Sequence, residues 1–448
     1  MIDPVAIIEG SQRAKQTEDQ ITIVRRRSTV NLRWANNQTT TNGATDYWSL
    51  RVIAIDRGRA SSSAATLTGR EDPLVLLKDA EAGCEGRPEA PDAMPLIEGS
   101  GAFTSDDSQP IGAEALNASG VAEVCQMARR EGNQTYGYVE HERIAVWLAT
   151  SAGVRAHHEV ERGRSDVTVK PDDLSTSTWQ SSFTGPDYDP IGDYEQAAKR
   201  VGWAARSNHS LDPGRYEVIL SPACVADMLY YMYAVSPLRV ALDGRNAFAK
   251  PGGGTRIGER LSPLPVTIST DPDTPGLETT PFVAAGVSDA FRSVFDSGHR
   301  IPARAWVRDG VLEALPAPRW VAAKAGVEPF FAAGNLLVSG EGPSVDEMIA
   351  STERGLFVNA FWYIRMVDPQ TMLLTGLTRD GVYLIEDGQI KGEVNNFRFN
   401  MSPLAMLEQV VEIGTSSVVL PREFEAALAS APPMRVKDWN FSSVSDAR

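Results

Sequence analysis

Residues 215–235, RYEVILSPACVADMLYYMYAV, read as a strand that turns at once into a capped helix. Tyr216–Leu220 is a short run of β-branched, aromatic and aliphatic residues that suits a strand. Ser221 is a good N-cap, and Pro222 suits the first helical position, where a missing N–H costs nothing. Val225, Met228, Leu229 and Met232 fall at i, i+3, i+4 and i+7, so the helix should bury one stripe.

Downstream, KPGGGTRIG (250–258) is a glycine-rich loop, and short strands and turns dominate to residue 340. Ser344 and Glu347 form a capping box. The helix it starts should bury Val345, Met348, Ile349 and Thr352 and stop at Gly355. Strands are expected at 356–366 and 371–378, with Asp380-Gly381 and Asp387-Gly388 as hairpin turns on either side of YLIE. Ser402-Pro403 opens another helix, ended by Gly414. Residues 194–448, including a helix at 194–206, thus read as a mostly antiparallel β domain, barrel-like, with a few helices.

Upstream, Val30, Leu32 and Trp34 alternate with polar residues. Trp48, Leu50, Val52 and Ala54 alternate on the return, and Asn42-Gly43 marks the turn between the two runs. Period two means that one face of this sheet is buried and the other is wet or covered differently. Helices are expected at 4–18, 72–82 and 111–131, and three more short strands in 136–170. Residues 1–193 therefore form an α+β domain with helices packed on an antiparallel sheet. Its last stretch, PDDLSTSTWQSSFTGPDYDPIGD (171–193), is polar and turn-rich and reads as a long loop.

The bulk numbers narrow the function. The chain has 448 residues, 42% of them hydrophobic, and a net charge of −15 from 58 acids and 43 bases. Such a surface repels nucleic acid. The one compact basic run, Arg25-Arg26-Arg27, reads as a solvated strand end. No apolar run approaches the roughly 18 residues of a membrane helix. No basic stretch followed by an apolar one opens the chain, and the three cysteines are scattered. A cytoplasmic protein without disulfides is expected.

Common catalytic signatures fail. There is no P-loop, no G-x-S-x-G elbow, no HExxH and no CxxC, and Gly252–Gly258 misses the dinucleotide-binding spacing by one residue. His157 and His158 lie in HHEVE, where alternation favours a strand that would send them to opposite faces. His299 lies in a turn. The acidic run at 271–276 lacks calcium-loop spacing.

Four segments, taken in order, resemble the TldD/PmbA (TldE) family, also called the modulator of DNA gyrase family. They are STVNLRWANNQTTTNGATD (28–46), PGRYEVILSPACVADML (213–229), NLLVSGEGPSVDEMIASTERGLFV (335–358) and TRDGVYLIEDGQIKGEVNNFRF (378–399). Together they span nearly the whole chain. The resemblance implies a heterodimeric zinc metallopeptidase that degrades or processes unstructured peptides. One subunit, TldD-type, holds the metal through the two histidines of HExxxH and a cysteine, with a glutamate base. The other, PmbA/TldE-type, shares the fold without the ligands.

Carried over residue by residue, the first histidine falls at Tyr230, the base at Tyr231, the second histidine at Val235 and the cysteine near Ser416. None matches, and valine has no lone pair to offer. The chain thus looks like a PmbA/TldE-type subunit with no cofactor of its own, its zinc expected in a TldD-type partner. A sporadic loss in a TldD-type protein is the other way to reach the same residues. Such a subunit would wall a shared cavity and hold an extended peptide along a strand edge. Two alternatives stand beside it. One is an enzyme with new chemistry from Tyr230, Tyr231, Tyr233 and Asp227. The other is a homodimeric module that binds peptides or proteins uncut. Trp179, Phe183 and Tyr188, aromatic residues in the polar 171–193 stretch, are candidates for a subunit interface or for pinning that stretch to its own domain.

Overall fold

The computed structural model describes residues 2–103, 109–184, 188–424 and 427–446. Strand β1 (Asp19–Ala35) pairs antiparallel with β2 (Gln38–Asp56). The turn between them is Asn36-Asn37, with φ of 55° and 59°, and not Asn42-Gly43, which lies within β2. Asparagine tolerates the left-handed region, and the Asn37 side chain fastens the turn. Its Nδ2 donates to the Asn133 carbonyl (2.8 Å), and its Oδ1 accepts from the Thr135 amide and hydroxyl (both 2.7 Å).

Strand β3 (Arg59–Leu67) pairs only with the far half of β2, so Gln38–Tyr47 is an exposed sheet edge. Residues 133–171 form two long strands rather than three short ones, β4 (Asn133–Thr150) and β5 (Arg155–Pro171), because one turn at 151–154 serves both. The polar stretch after them is not a free loop. Residues 178–184 form β6 (Thr178–Thr184), which pairs with β5 while Trp179, Ser181 and Phe183 point inward in alternation. Its residues 185–187 lie outside the described set. The sheet order is β3-β2-β1-β4-β5-β6.

Four helices cover one face of this sheet: α1 (Pro4–Ala14), α2 (Pro73–Ala82), α3 (Ala118–Arg130) and α4 (Pro190–Ala204). Each starts at an Asp or Asn whose side chain caps the first turn. Val24, Leu50, Val52 and Trp147 pack under α1 and α2, and Leu32, Trp34, Val139 and Val167 under α3 and α4. The alternate positions Ile21, Ile23, Val146 and Leu148 face the other way and meet Phe282, Val294 and Phe295 of the C-terminal half.

That half is built on a closed five-stranded barrel. Its strands are β7 (Gly214–Leu220), β8 (Arg354–Asp368), β9 (Leu373–Glu386), β10 (Phe397–Met401) and β11 (Met434–Val444). They run in the order β8-β7-β11-β10-β9, and β9 pairs back onto β8. Only β7 and β8 are parallel, because helix α5 (Pro222–Ala234) intervenes after β7. Phe361, Phe399 and Trp439 stack in the core, with Phe361 and Trp439 5.3 Å apart.

Two expected turns shift. Asp387-Gly388 does join β9 to the Gln389–Val394 strand. Asp380-Gly381 instead lies inside β9, where two successive positive φ values (54° and 120°) make a bulge opposite Val358–Ala360. The 403 helix stops at Gln409 rather than at Gly414, since Val410–Ile413 pairs as a strand with β11.

Candidate functional site

The β7–α5 junction forms as its residues dictate. The Ser221 hydroxyl accepts from the Cys224 amide (3.2 Å) and donates to the Asn359 carbonyl (2.7 Å). The cap thus also pins α5 to β8. Burial extends beyond one stripe: Ala223–Tyr230 and Met232 are all buried, so the helix sits within the core rather than on it. Burial also drives the Cys224 thiol far above its ordinary range, leaving it unreactive.

The four positions that the resemblance leads us to expect opposite the family's metal centre, Tyr230, Tyr231, Val235 and Ser416, carry three hydroxyls engaged elsewhere and one aliphatic side chain. The Tyr230 hydroxyl donates to the Leu428 carbonyl (2.7 Å), and Tyr231 donates to the Ile364 carbonyl (2.6 Å). Burial raises both phenol pKa values, so neither offers a phenolate at neutral pH. Val235 caps α5, and the Ser416 hydroxyl donates to the Val338 carbonyl (2.6 Å). Among the described residues no cluster of three His, Cys, Asp or Glu side chains stands where it could hold a metal ion. The donor set does not fit a catalytic zinc, which needs three ligands and an open position.

Asp227 is fully buried on the same helix. Its carboxylate accepts from the amides of Arg422 (3.3 Å) and Glu423 (3.0 Å). Burial pushes its pKa well up, with those two hydrogen bonds opposing. Tyr233 sits between Phe291 and Trp306. Asp227, Tyr230, Tyr231 and Tyr233 therefore have separate partners and do not converge on one point.

The other candidates also resolve. His157 stacks on Trp147 at 4.8 Å. His158 takes the opposite face, where burial lowers its pKa. Trp179, Phe183 and Tyr188 lie inside the chain. Trp179 is under the Arg422 guanidinium (4.8 Å). Phe183 packs with Leu277, Leu420 and Leu428. The Tyr188 hydroxyl accepts from the Asn117 amide (2.7 Å).

The structure reveals a groove that the sequence reading passed over. Arg25–Arg27 is mid-strand in β1, not a strand end. Alternation sends Arg26 to the helical face, where Asp46 holds it and Trp48 lies beneath. Arg25 and Arg27 point the other way. With Arg33 from β1 and Arg162 and Arg164 from β5, they line the gap between the first sheet and the C-terminal half. One end of this gap, about 290 Å³, is closed by Tyr233, Phe291, Arg292 and Leu428. The other, about 440 Å³, is closed by Trp362 and Leu420–Arg422. A smaller cavity lined by Arg27, Glu140, Glu142, Arg162 and Arg164 lies between them, sharing Arg162 with the first and Arg164 with the second. Within it Arg27 pairs with Glu142 (2.6 Å) and Arg164 with Glu140 (3.1 Å). Arg422 is held between Trp179 and Trp362 and pairs with the buried Asp380 at 2.6 Å. Arg25, Arg27 and Arg33, odd-numbered positions that alternation puts on one face of β1, were the available signal.

Residues 213–443, the barrel with α5 and its surroundings, match the family model of the PmbA/TldA metallopeptidase C-terminal domain. The chain belongs to the PmbA/TldD family. Its fold is shared along almost the whole length. TldE from Thermococcus kodakarensis superposes with a TM-score of 0.81 at 14% identity, covering 97% of this chain and 99% of that one. A proposed modulator of DNA gyrase from Thermotoga maritima gives 0.76 at 15% identity, covering 97% and 98%. Another from Bacteroides thetaiotaomicron gives 0.75 at 13% identity, covering 97% of each chain. No curated protein sequence matches the chain. Among the described residues no helix is long and apolar enough to cross a membrane.

Proposed function

We propose that this chain is the metal-free subunit of a two-subunit peptidase of the PmbA/TldD family. It would pair in the cytoplasm with a TldD-type homologue carrying zinc and wall the space in which an unstructured peptide is cut. The observation that supports this most is the state of the ligand positions. Tyr230, Tyr231 and Ser416 spend their hydroxyl protons on main-chain carbonyls, and Val235 has nothing to donate. The two tyrosines tie α5 to Leu428 and to Ile364 of β8, so the helix keeps its place without the chemistry. The partner brings the metal centre, and this chain contributes the groove beside α5.

The test combines the purified chain with a TldD-type homologue from the same genome. The expected result is a mixed dimer by size-exclusion with light scattering. That dimer hydrolyses a disordered peptide, and the chain alone does neither. Stoichiometric zinc and peptide hydrolysis in the isolated chain would overturn the reading. A self-dimer that binds peptide uncut and ignores the homologue would overturn it in favour of a binding module.

A further inference from the structure

The 290 Å³ end of the groove gathers three guanidinium groups, Arg25, Arg162 and Arg292, among Ile144, Val146 and Phe282. Among the described residues none of the three has a carboxylate within ion-pair distance. Arg25 donates to the Ala284 carbonyl (2.6 Å) and Arg162 to the Glu278 carbonyl (2.9 Å). The Arg162 Nε is buried with no hydrogen-bond partner. The acids nearest Arg162 are Glu142, which is taken by Arg27, and Glu278. Asp289, near Arg292, spends one carboxylate oxygen on the amides of Phe291 and Arg292 (2.7 and 2.9 Å). Burial, and then the charges of Arg292 and Arg51, lowers the Arg25 pKa.

Unpaired cations that repel one another are costly where they are partly buried, as Arg25 and Arg162 are, while Arg292 reaches solvent. In a chain of net charge −15, such a cluster is the opposite of what general surface composition would place there. An arriving carboxylate relieves the cost through charge-assisted, bidentate hydrogen bonds. At the far end of the groove Arg33 lies over Tyr138 (5.4 Å), again without an ion pair among the described residues.

We propose that this groove takes an acidic peptide in extended form, with one of its carboxylates seated between Arg25, Arg162 and Arg292. The proposal rests on the peptide-binding role given above and names its substrate class. A peptide suits the groove better than a nucleic acid. The smaller cavity between the two ends is neutralised by Glu140 and Glu142, which accommodates spaced carboxylates and repels a continuous run of phosphates.

Fluorescence anisotropy on the isolated chain tests this with a labelled, unstructured, glutamate-rich peptide and its glutamine counterpart. The acidic peptide should bind about tenfold more tightly at low salt. Arg162→Gln and Arg292→Gln should each remove most of that preference, and Arg13→Gln on α1 should not. Amidating the peptide C-terminus separates the two sources of carboxylate: loss of binding assigns the terminal group, retention a glutamate side chain. If a variant fails to fold, phenylglyoxal modification of the unaltered protein gives the same answer, since bound peptide should protect Arg162 and Arg292. Equal binding of the two peptides, or no protection, overturns the proposal. So does a single-stranded oligonucleotide that competes as well as the acidic peptide. Acid preference without a mixed dimer defeats only the subunit role. A cleaving mixed dimer with no acid preference defeats only this inference.

Discussion

The carboxylate of Asp227, in the interior of α5, accepts a 3.0 Å hydrogen bond from the amide of Glu423. The same carboxylate also takes the Arg422 amide. One side chain thus holds the segment that carries Arg422 against Trp362 and Phe424 against Tyr230 and Tyr231. Asp227→Ala leaves two amides without a partner and opens a polar hole. The expected cost is about 2–4 kcal/mol. Hydrogen exchange should show faster exchange at 420–424 than in the barrel strands. Unchanged protection there would mean that Asp227 does not organise the segment.

Tyr230→Phe and Tyr231→Phe each delete one hydroxyl that serves a carbonyl. Each should cost about 1 kcal/mol in urea unfolding, with Tyr230 the larger because its side chain is buried and that of Tyr231 only partly so. Peptide cleavage by the mixed dimer should be unaltered by either. A pH–rate profile that lost a limb in either variant would return these phenols to an acid–base role.

Asp193, in the first turn of α4, has its pKa pushed up to about 7, chiefly by burial, with the Ser182 hydroxyl (2.8 Å) opposing. A carboxyl with a raised folded-state pKa binds its proton more tightly in the native state. Its contribution is therefore whole below about pH 4 and is lost as pH rises through about 7. At about 1.4 kcal/mol per pH unit the ceiling is about 4 kcal/mol. Asp193→Asn should remove this dependence, gaining on the parent protein between pH 5 and 8. Parallel stability–pH curves for the two proteins would refute the assignment.

Asn37→Ala should cost about 2–4 kcal/mol, because it removes three hydrogen bonds to β4 and places alanine at a φ of 59°. Asn37→Gly relieves the backbone and keeps only the hydrogen-bond loss, so it should be milder. Denaturant midpoints of the two variants give the comparison. An equal loss in both would assign the whole effect to the side chain.

Local signals carried much of the architecture. Ser221-Pro222, the Ser344–Glu347 capping box and Asp387-Gly388 all function as their residue types demand. Each acts over four residues or fewer, so the chain itself determines it. The turn signals at Asn42-Gly43 and Asp380-Gly381 were equally good locally and lost to strand pairing. β1 holds residues 38–47 in register past the first pair, and β8 continues alongside β9 past the second. The strand at 178–184 was hidden by its serines and threonines, which read as loop until β5 supplies a partner.

The same division runs through the site. Residue identity alone settles that the side chain of Val235 cannot bind a metal and that Tyr230 and Tyr231 bring phenols, neither an imidazole nor a carboxylate, to α5. Where those phenols send their protons, and that Asp227 serves a segment almost two hundred residues away, is a matter of distance in space. So is the arginine groove. Arg25 and Arg162 lie far apart along the chain, and only the antiparallel register of β1, β4 and β5, closed over by the barrel half, brings like charges to one cavity and leaves them unpaired.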